Sequence, residues 1–255
     1  MIIQRINWVV LFGGAGRESI LARMMAEGVP ISLVCAPSDS SKRLDEACDR
    51  IRKMGLPITV ISRKELNAAL RPNSSRGLLS IGFPYILDRE VVEMFHPAIN
   101  VHPTLLPKFR GPTTGAHVLM SGTRESGSTV HILTPEIDRG DIIAQHRVAL
   151  SDFESLRSMQ RKVYALEPQL VIDAICALER GDRGVPQDER IASEFPRRRT
   201  PKDSELDPAL PLAALVDHIR ACDPEDFPAY FMHNGEQVCV RLWRPNKPID
   251  ESDLI

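Results

Sequence analysis

The sequence predicts an α/β protein: a mostly parallel sheet with helices on both faces, followed by a small α+β appendage. Three observations lead there. Short apolar runs alternate with helical patterns through the first half of the chain, which is how a parallel sheet with crossover helices reads. The composition, 43% hydrophobic and 26% charged over 255 residues, is that of a globular chain with room for one large domain and an appendage. After Gly184 the composition shifts toward Pro, Arg and Asp. The expected division is therefore a main domain over 1–184, then a linker and a helix-hairpin subdomain over 185–255.

The elements follow in order. Residues 7–12 read as a buried strand, and "GGAGRES" turns it into a helix that ends by Gly28. "ISLVCA" (31–36) is a second strand, 39–55 a helix, "PITVI" (57–61) a third strand and "GLLSIG" (77–82) a fourth. A helix over 88–95 leads into "AINVH" (98–102). A short helix over 113–121 precedes two strands, 127–134 and 141–150, joined by "PEIDRG". Leu156, Met159, Val163, Leu166 and Leu170 then recur at helical spacing, with Pro168 expected to interrupt and kink that helix. Residues 182–211 read as a connection, 212–221 as a helix, and 229–243 as a hairpin turning at Asn234-Gly235.

The bulk properties exclude several classes. A net charge of −2 gives no field toward nucleic acid or anionic membranes. The five cysteines (35, 48, 176, 222, 239) form no CxxC, so no zinc site or disulfide framework is expected, and free thiols fit a reducing cytoplasm. The first apolar run is too short for a signal peptide or a membrane span.

The stretch "NVHPTLLPKFRG" (100–111) is the most informative. Residues i and i+2 of a strand share a side, so Asn100 and His102 present an amide and an imidazole together. Two prolines then stop the strand. In a parallel sheet that position faces the ligand crevice beyond the strands' carboxyl ends. His102 alone would read as a structural histidine, and Asp138 alone as a turn aspartate. Together with Asn100 they form a proton-handling set drawn from separate loops. "GGAGRES" could seat a phosphate on Gly13, Gly14 and Gly16, or be only a tight strand-to-helix turn. A dinucleotide site is disfavoured, because the second strand ends at Cys35-Ala36 with no acidic residue for a ribose.

The segment from Asn100 to Ile143 resembles the core of the folate-dependent formyltransferase family, which includes glycinamide ribonucleotide transformylase, methionyl-tRNA formyltransferase and the nucleotide-sugar N-formyltransferases. The family pattern is matched at Asn100, His102, Pro103, Leu105, Leu106, Pro107, Phe109, Arg110 and Gly111, then at Gly127, Thr129, Val130 and His131, and at Asp138 and Gly140. Thr104 replaces a usual serine. The resemblance covers residues 5–180. It implies a Rossmann-like sheet, a catalytic set of Asn100, His102 and Asp138, and 10-formyltetrahydrofolate as formyl donor. It also implies donor binding by Phe83, Tyr85, Ile86 and Leu87 and by Ile137, Asp138, Gly140 and Asp141. On this reading an amine attacks the formyl carbon while His102, kept protonated by Asp138, and Asn100 stabilise the developing negative oxygen. Asp138 also takes the amine's proton, directly or through a water.

The acceptor is approached through the tail. "RRTPKDSELDP" (198–208) and "LVDHIRACDPEDFPAYFMHNGEQVCVRLW" (215–243) resemble the segment, helix and hairpin that follow the core in sugar formyltransferases. A nucleotide-linked amino sugar, serving surface polysaccharide synthesis, is the expected acceptor. The departures are Pro208 in place of a tryptophan and "PTTGAHVL" without the tryptophan of that region. The expected acceptor pocket is Arg110, Gly111, Thr113, Thr114 and His117 with the glycine loop. Alternatives are glycinamide ribonucleotide, whose enzymes carry a similar glycine loop, charged initiator tRNA, a hydroxylated amine, or a non-catalytic folate-binding role. The intact Asn100, His102 and Asp138 argue against the last. "PRRRT" (196–200) is read as a solvated face or a diphosphate contact. No nucleic-acid or membrane partner is expected. The alternation of Val238, Val240 and Leu242 would let the hairpin pair with a second copy, giving the expected homodimer, or equally pack on its own core.

Overall fold

The computed structural model describes residues 5–39, 41–71 and 76–249. The first five strands are β1 (Trp8–Phe12), β2 (Ile31–Pro37), β3 (Ile58–Ile61), β4 (Gly77–Ile81) and β5 (Ala98–His102). Between them run α1 (Ser19–Ala26), α2 (Lys42–Lys53), α3 (Leu66–Leu70) and α4 (Arg89–Glu93). Then come α5 (Thr114–Met120), β6 (Glu125–Ile132), β7 (Ile142–Ala149) and α6 (Leu156–Glu179). The tail holds α7 (Leu212–Arg220) and the hairpin β8 (Ala229–His233) and β9 (Glu236–Val240).

The main sheet has the order β3-β2-β1-β4-β5-β6-β7, parallel from β1 to β5, with β6 and β7 antiparallel. It is the expected mostly parallel α/β sheet, and β8–β9 forms a separate two-stranded sheet at the C-terminal end. Alternation along β1 supplies both cores. Val10 and Phe12 pack with Ile20, Leu21, Ile51, Leu170, Val171 and Ile175 under α1, α2 and α6. Val9 and Leu11 pack with Leu66, Leu70, Val91, Val92 and Phe95 under α3 and α4. Ile99 and Val101 of β5 belong to the first core, which leaves Asn100 and His102 on the opposite side of their strand.

Two elements depart from expectation. Helix α3 joins β3 to β4 where the sequence offers only Leu66 and Leu70, two buried residues at i and i+4, too few to establish a period. Helix α6 runs unbroken through Pro168 for 24 residues. The lost N–H there is outweighed by burial of Leu170, Val171, Ala174 and Ile175 against the sheet. The connecting segment is also less irregular than its composition suggests. It contains 3-10 turns at Glu189–Ile191 and Pro201–Ser204, and isolated bridges join Val185 to Ile142 and Glu194 to Arg110.

Candidate active site

The sheet ends β5 beside two loops, 103–113 after β5 and 133–141 between β6 and β7. The β5–β6 register places Asn100 opposite His131, and their side chains meet, Asn100 Nδ2 to His131 Nε2 at 3.1 Å. His131 Nδ1 lies 2.8 Å from the Ile132 carbonyl. With its one N–H donated there, Nε2 is left to accept from the Asn100 amide, which fixes the amide's orientation. Asp138 stands between two imidazoles: Oδ2 is 3.5 Å from His102 Nδ1, and Oδ1 is 3.5 Å from His131 Nε2. Asp138 Oδ2 also accepts the Gly111 N–H at 2.9 Å. His102 Nε2 lies 2.9 Å from the Phe109 carbonyl. The structure thus brings Asn100, His102 and Asp138 together, and adds His131 to them.

Unusual backbone marks the same place. Phe109, Thr113 and Asp138 all have left-handed φ, at 59°, 55° and 55°. Such conformations disfavour residues with a Cβ and gather where neighbours over-determine the geometry.

Burial governs the electrostatics. His102 is 5% exposed, and its removal from water pulls its pKa below the ordinary histidine value, against the opposing pull of Asp138 and the Phe109 carbonyl. The expectation that Asp138 keeps His102 charged therefore gives way: desolvation is the larger effect. For Asp138, burial raises the pKa, but His102, His131 and the Gly111 N–H together hold the carboxyl well below the usual carboxylate range. Asp138 is an anion. His102 thus sets Nε2 toward the Phe109 carbonyl and Nδ1 toward the Asp138 carboxylate, so a proton arriving at Nδ1 would lie between imidazole and carboxylate.

The expected donor-binding residues lie on two loops that meet. Arg89, just after the 82–88 loop, pairs with Glu136 at 3.8 Å, and Phe83, Tyr85, Leu87 and Leu133 pack on the same core. The Tyr85 hydroxyl is buried without a hydrogen-bond partner among the described residues, and its ring meets Phe83 edge-on at 5.2 Å. Ile86 and Ile137, one from each loop, are 61% and 49% exposed. Gly140 must lack a side chain, since a Cβ would come within 2.0 Å of the Ile132 carbonyl. Asp141 closes the loop with its own carbonyl on the Ile132 N–H at 2.9 Å. Apolar walls, an orphan hydroxyl and backbone-lined loops fit a flat, polar-edged heterocycle such as a pterin.

The expected acceptor residues fare differently. Arg110 is 1% exposed and points away into the connecting segment, bonded to Gln187, Glu189 and Glu194. Its guanidinium is spent there, so its reading as a substrate group gives way to an anchoring one. Gly111 contributes its N–H to Asp138. Thr114 is buried in α5, and Thr113 accepts the Arg199 N–H at 3.1 Å. His117 stacks on Phe195 at 3.9 Å. Of "PRRRT", Arg197 is bonded to Asp203 and Arg199 to the Asp203 carbonyl, while exposed Arg198 makes a 3.4 Å contact to the Pro84 carbonyl.

In the glycine loop, a Cβ on Gly13 would meet the Gly82 carbonyl at 2.5 Å, and one on Gly14 the Arg17 side chain at 2.8 Å. Gly16 has φ +87° and open space around it. The first two glycines are accounted for by close packing on β4 and its following loop. Glu18, at the start of α1, sets a carboxylate beside this turn, paired with Arg50 (Nε at 2.9 Å). Arg17 runs inward and is held by Glu167 at 2.6 and 2.7 Å and by the Val101 carbonyl at 3.2 Å. Ser128 lies between Glu167 and the His102 carbonyl, at 3.0 and 2.9 Å. Nothing local in the sequence announced this brace beneath β5.

The model of the formyl transferase family matches residues 40–175, more than half of the chain, including the 82–88, 103–113 and 133–141 loops. This chain belongs to the formyl transferase family. Formyl transfer from a folate donor, the chemistry expected from the sequence, is the enzyme class of that family. A methionyl-tRNA formyltransferase from Pediococcus pentosaceus is 34% identical over 158 residues, 61% of this chain and 47% of the relative. The chain thus spans about half the length of that curated relative. A sugar N-formyltransferase from a Shewanella species shares the fold at TM-score 0.75 and 19% identity, over 93% of this chain and 97% of that one. Glycinamide ribonucleotide transformylase 1 from Symbiobacterium toebii matches at TM-score 0.63 and 22% identity, over 72% of this chain and 94% of that one.

Proposed function

We propose that this chain transfers the formyl group of 10-formyltetrahydrofolate to the amine of a nucleotide-linked amino sugar, in the cytoplasm and toward surface polysaccharide. The observation that carries the acceptor is that this chain and the Shewanella sugar enzyme coincide end to end, over 93% of this chain and 97% of that one, whereas the fold of HypX from Aquifex aeolicus covers 92% of this chain but only 37% of its own. The likeness to the Shewanella sugar enzyme takes in 93% of the chain, whereas that to the glycinamide ribonucleotide enzyme takes in 72%. Among the described residues no helix is long and apolar enough to cross a membrane.

The donor, held by the 82–88 and 133–141 loops, supplies a formyl carbonyl when bound. Asn100, its amide oriented by His131, keeps a second N–H to offer to developing negative charge. The proton that the attacking amine gives up passes to His102 Nδ1, where ionised Asp138 stabilises the resulting cation, and it would go on to the donor nitrogen as the carbon–nitrogen bond to that nitrogen breaks and tetrahydrofolate leaves. Burial of both groups keeps the crevice poor in water, so these interactions act at low dielectric. The hairpin edge at β9, exposed along Glu236–Cys239, is proposed to pair with a second copy in a homodimer. Light scattering that found only monomer would remove that part.

The test is a single-turnover assay with 10-formyltetrahydrofolate and a panel of UDP-, dTDP- and GDP-linked amino sugars, glycinamide ribonucleotide, charged initiator tRNA and hydroxylated amines. The expected result is a formyl mass gain on one nucleotide sugar. Gain on glycinamide ribonucleotide or tRNA instead would overturn the acceptor. Binding of folate with no gain on any amine would favour the non-catalytic reading.

A further inference from the structure

Asp138 and the 109–111 stretch reach the site on separate loops, and a side chain belonging to neither ties them together. Gln187 lies in the connecting segment. Its Oε1 accepts from Arg110 Nη2 at 2.8 Å and Nε at 3.1 Å. Its Nε2 donates to the main-chain carbonyls of Asp138 and Gly140, both at 2.8 Å. Only one orientation of the amide satisfies this set, with oxygen toward a guanidinium and nitrogen toward two carbonyls. The same segment braces the first loop through its backbone. Arg110 N–H donates to the Ser193 carbonyl at 2.9 Å, Phe195 N–H to the Arg110 carbonyl at 2.8 Å, and Phe109 N–H to the Ser193 hydroxyl at 2.9 Å. Arg139 adds ion pairs to Glu189 and Glu194 from the Asp138 side. One face of this clamp holds the carbonyl that meets His102 Nε2. The other holds the carboxylate that meets His102 Nδ1.

We propose that Gln187 is a positioning residue: it registers the Asp138 loop against the Phe109–Gly111 loop and so sets the spacing between His102 and Asp138. The proposal rests on the reading of Asn100, His102 and Asp138 as the catalytic set. Gln187 touches none of the reacting groups. It acts by keeping a left-handed aspartate and a left-handed phenylalanine, neither of which holds its conformation unaided, at a fixed separation.

Two substitutions separate its contacts. Gln187→Glu keeps the acceptor for Arg110 but turns a carboxylate oxygen toward two carbonyls. Gln187→Met removes donor and acceptor at similar length. The decisive readout is the pH titration of the His102 and His131 rings by imidazole 15N NMR in the full chain. In Gln187→Met the His102 midpoint should fall, because Asp138 no longer stands at its wild-type distance; in Gln187→Glu the added carboxylate works against that fall, so that variant is read by its turnover. Turnover should fall about 10- to 100-fold with acceptor KM changed by no more than about twofold, as expected for misplacement rather than lost binding. Asp188→Asn, whose carboxylate holds Arg190, should leave both readouts unchanged. A wild-type His102 titration in folded Gln187→Met would overturn the proposal, as would an equal shift in Asp188→Asn. The titration needs no turnover, so it decides the role of Gln187 even if His102→Ala retains activity and the catalytic reading fails.

Discussion

Asp138 carries a left-handed backbone, a buried anion and two imidazole neighbours, so its environment is built around one ionisation state. The proton of an attacking amine has its destination at His102 Nδ1, where the cation that forms faces this anion. His102→Ala should therefore lower single-turnover rates by about 100- to 10,000-fold while tetrahydrofolate affinity, read by calorimetry, is preserved. Near-normal rates would remove His102 from the mechanism. Gly111 is the second sensitive position: φ is +107°, and an added Cβ would lie 2.2 Å from the Phe195 carbonyl. Gly111→Ala should cost about 1–3 kcal/mol in urea unfolding and displace the N–H that holds Asp138. Stability and activity both within error of wild type would contradict this geometry. Asn100 and His102 were legible because strand alternation is local information. His131 lay within the matched stretch, but its role depends on the β5–β6 register, which no local pattern states. Arg110 was misread for the same reason. An Arg-Gly beside a candidate site suggests a substrate cation, yet its partners Gln187, Glu189 and Glu194 lie far along the chain.

At the scale of elements, α6 shows how burial overrides propensity. Pro168 marks a helix break in isolation, and the helix continues because its face fills the core against β6, β7 and α1. The same helix delivers Glu167, wholly buried, to Arg17 from the turn before α1. The pair secures β5 from beneath, through the Val101 carbonyl and through Ser128 to the His102 carbonyl. Glu167→Ala would strand the Arg17 guanidinium in the core, and removing one partner of a buried pair costs about 3–5 kcal/mol. Urea denaturation should show that loss. A loss near zero would mean that Arg17 finds another partner or water. Strands β1 to β5 were readable within a residue or two, because each is a short apolar run bounded by turn residues. The Arg17–Glu167 pair was not, since Glu167 reads in sequence as an ordinary polar position beside a proline.

The whole molecule carries a net charge of −2, so its response to acid depends on a few perturbed groups rather than on a general field. His102 has its pKa lowered by burial. His117, stacked on Phe195, is lowered by burial and by Arg199 and Arg197. A histidine with a depressed folded value binds fewer protons folded than unfolded, so stability is full above the unfolded value, about 6.5, and declines below it. Asp138 adds to this from lower pH. Its folded value lies below the usual range, so its contribution is present above about 4 and is lost as pH falls further. All three therefore act in one direction, and nothing in this set favours acid. The melting temperature should hold steady on the alkaline side, begin to fall as pH drops through about 6.5, and fall further below about 4. Replacing both histidines by Asn should flatten the upper part of that decline and also shrink the lower part, since His102 is the largest of the influences that hold the Asp138 carboxyl low, whereas His117→Asn alone should leave the lower part unchanged. Calorimetric scans across this range decide the matter: a melting temperature unchanged between neutral pH and pH about 5 would mean that neither imidazole is held neutral by the fold.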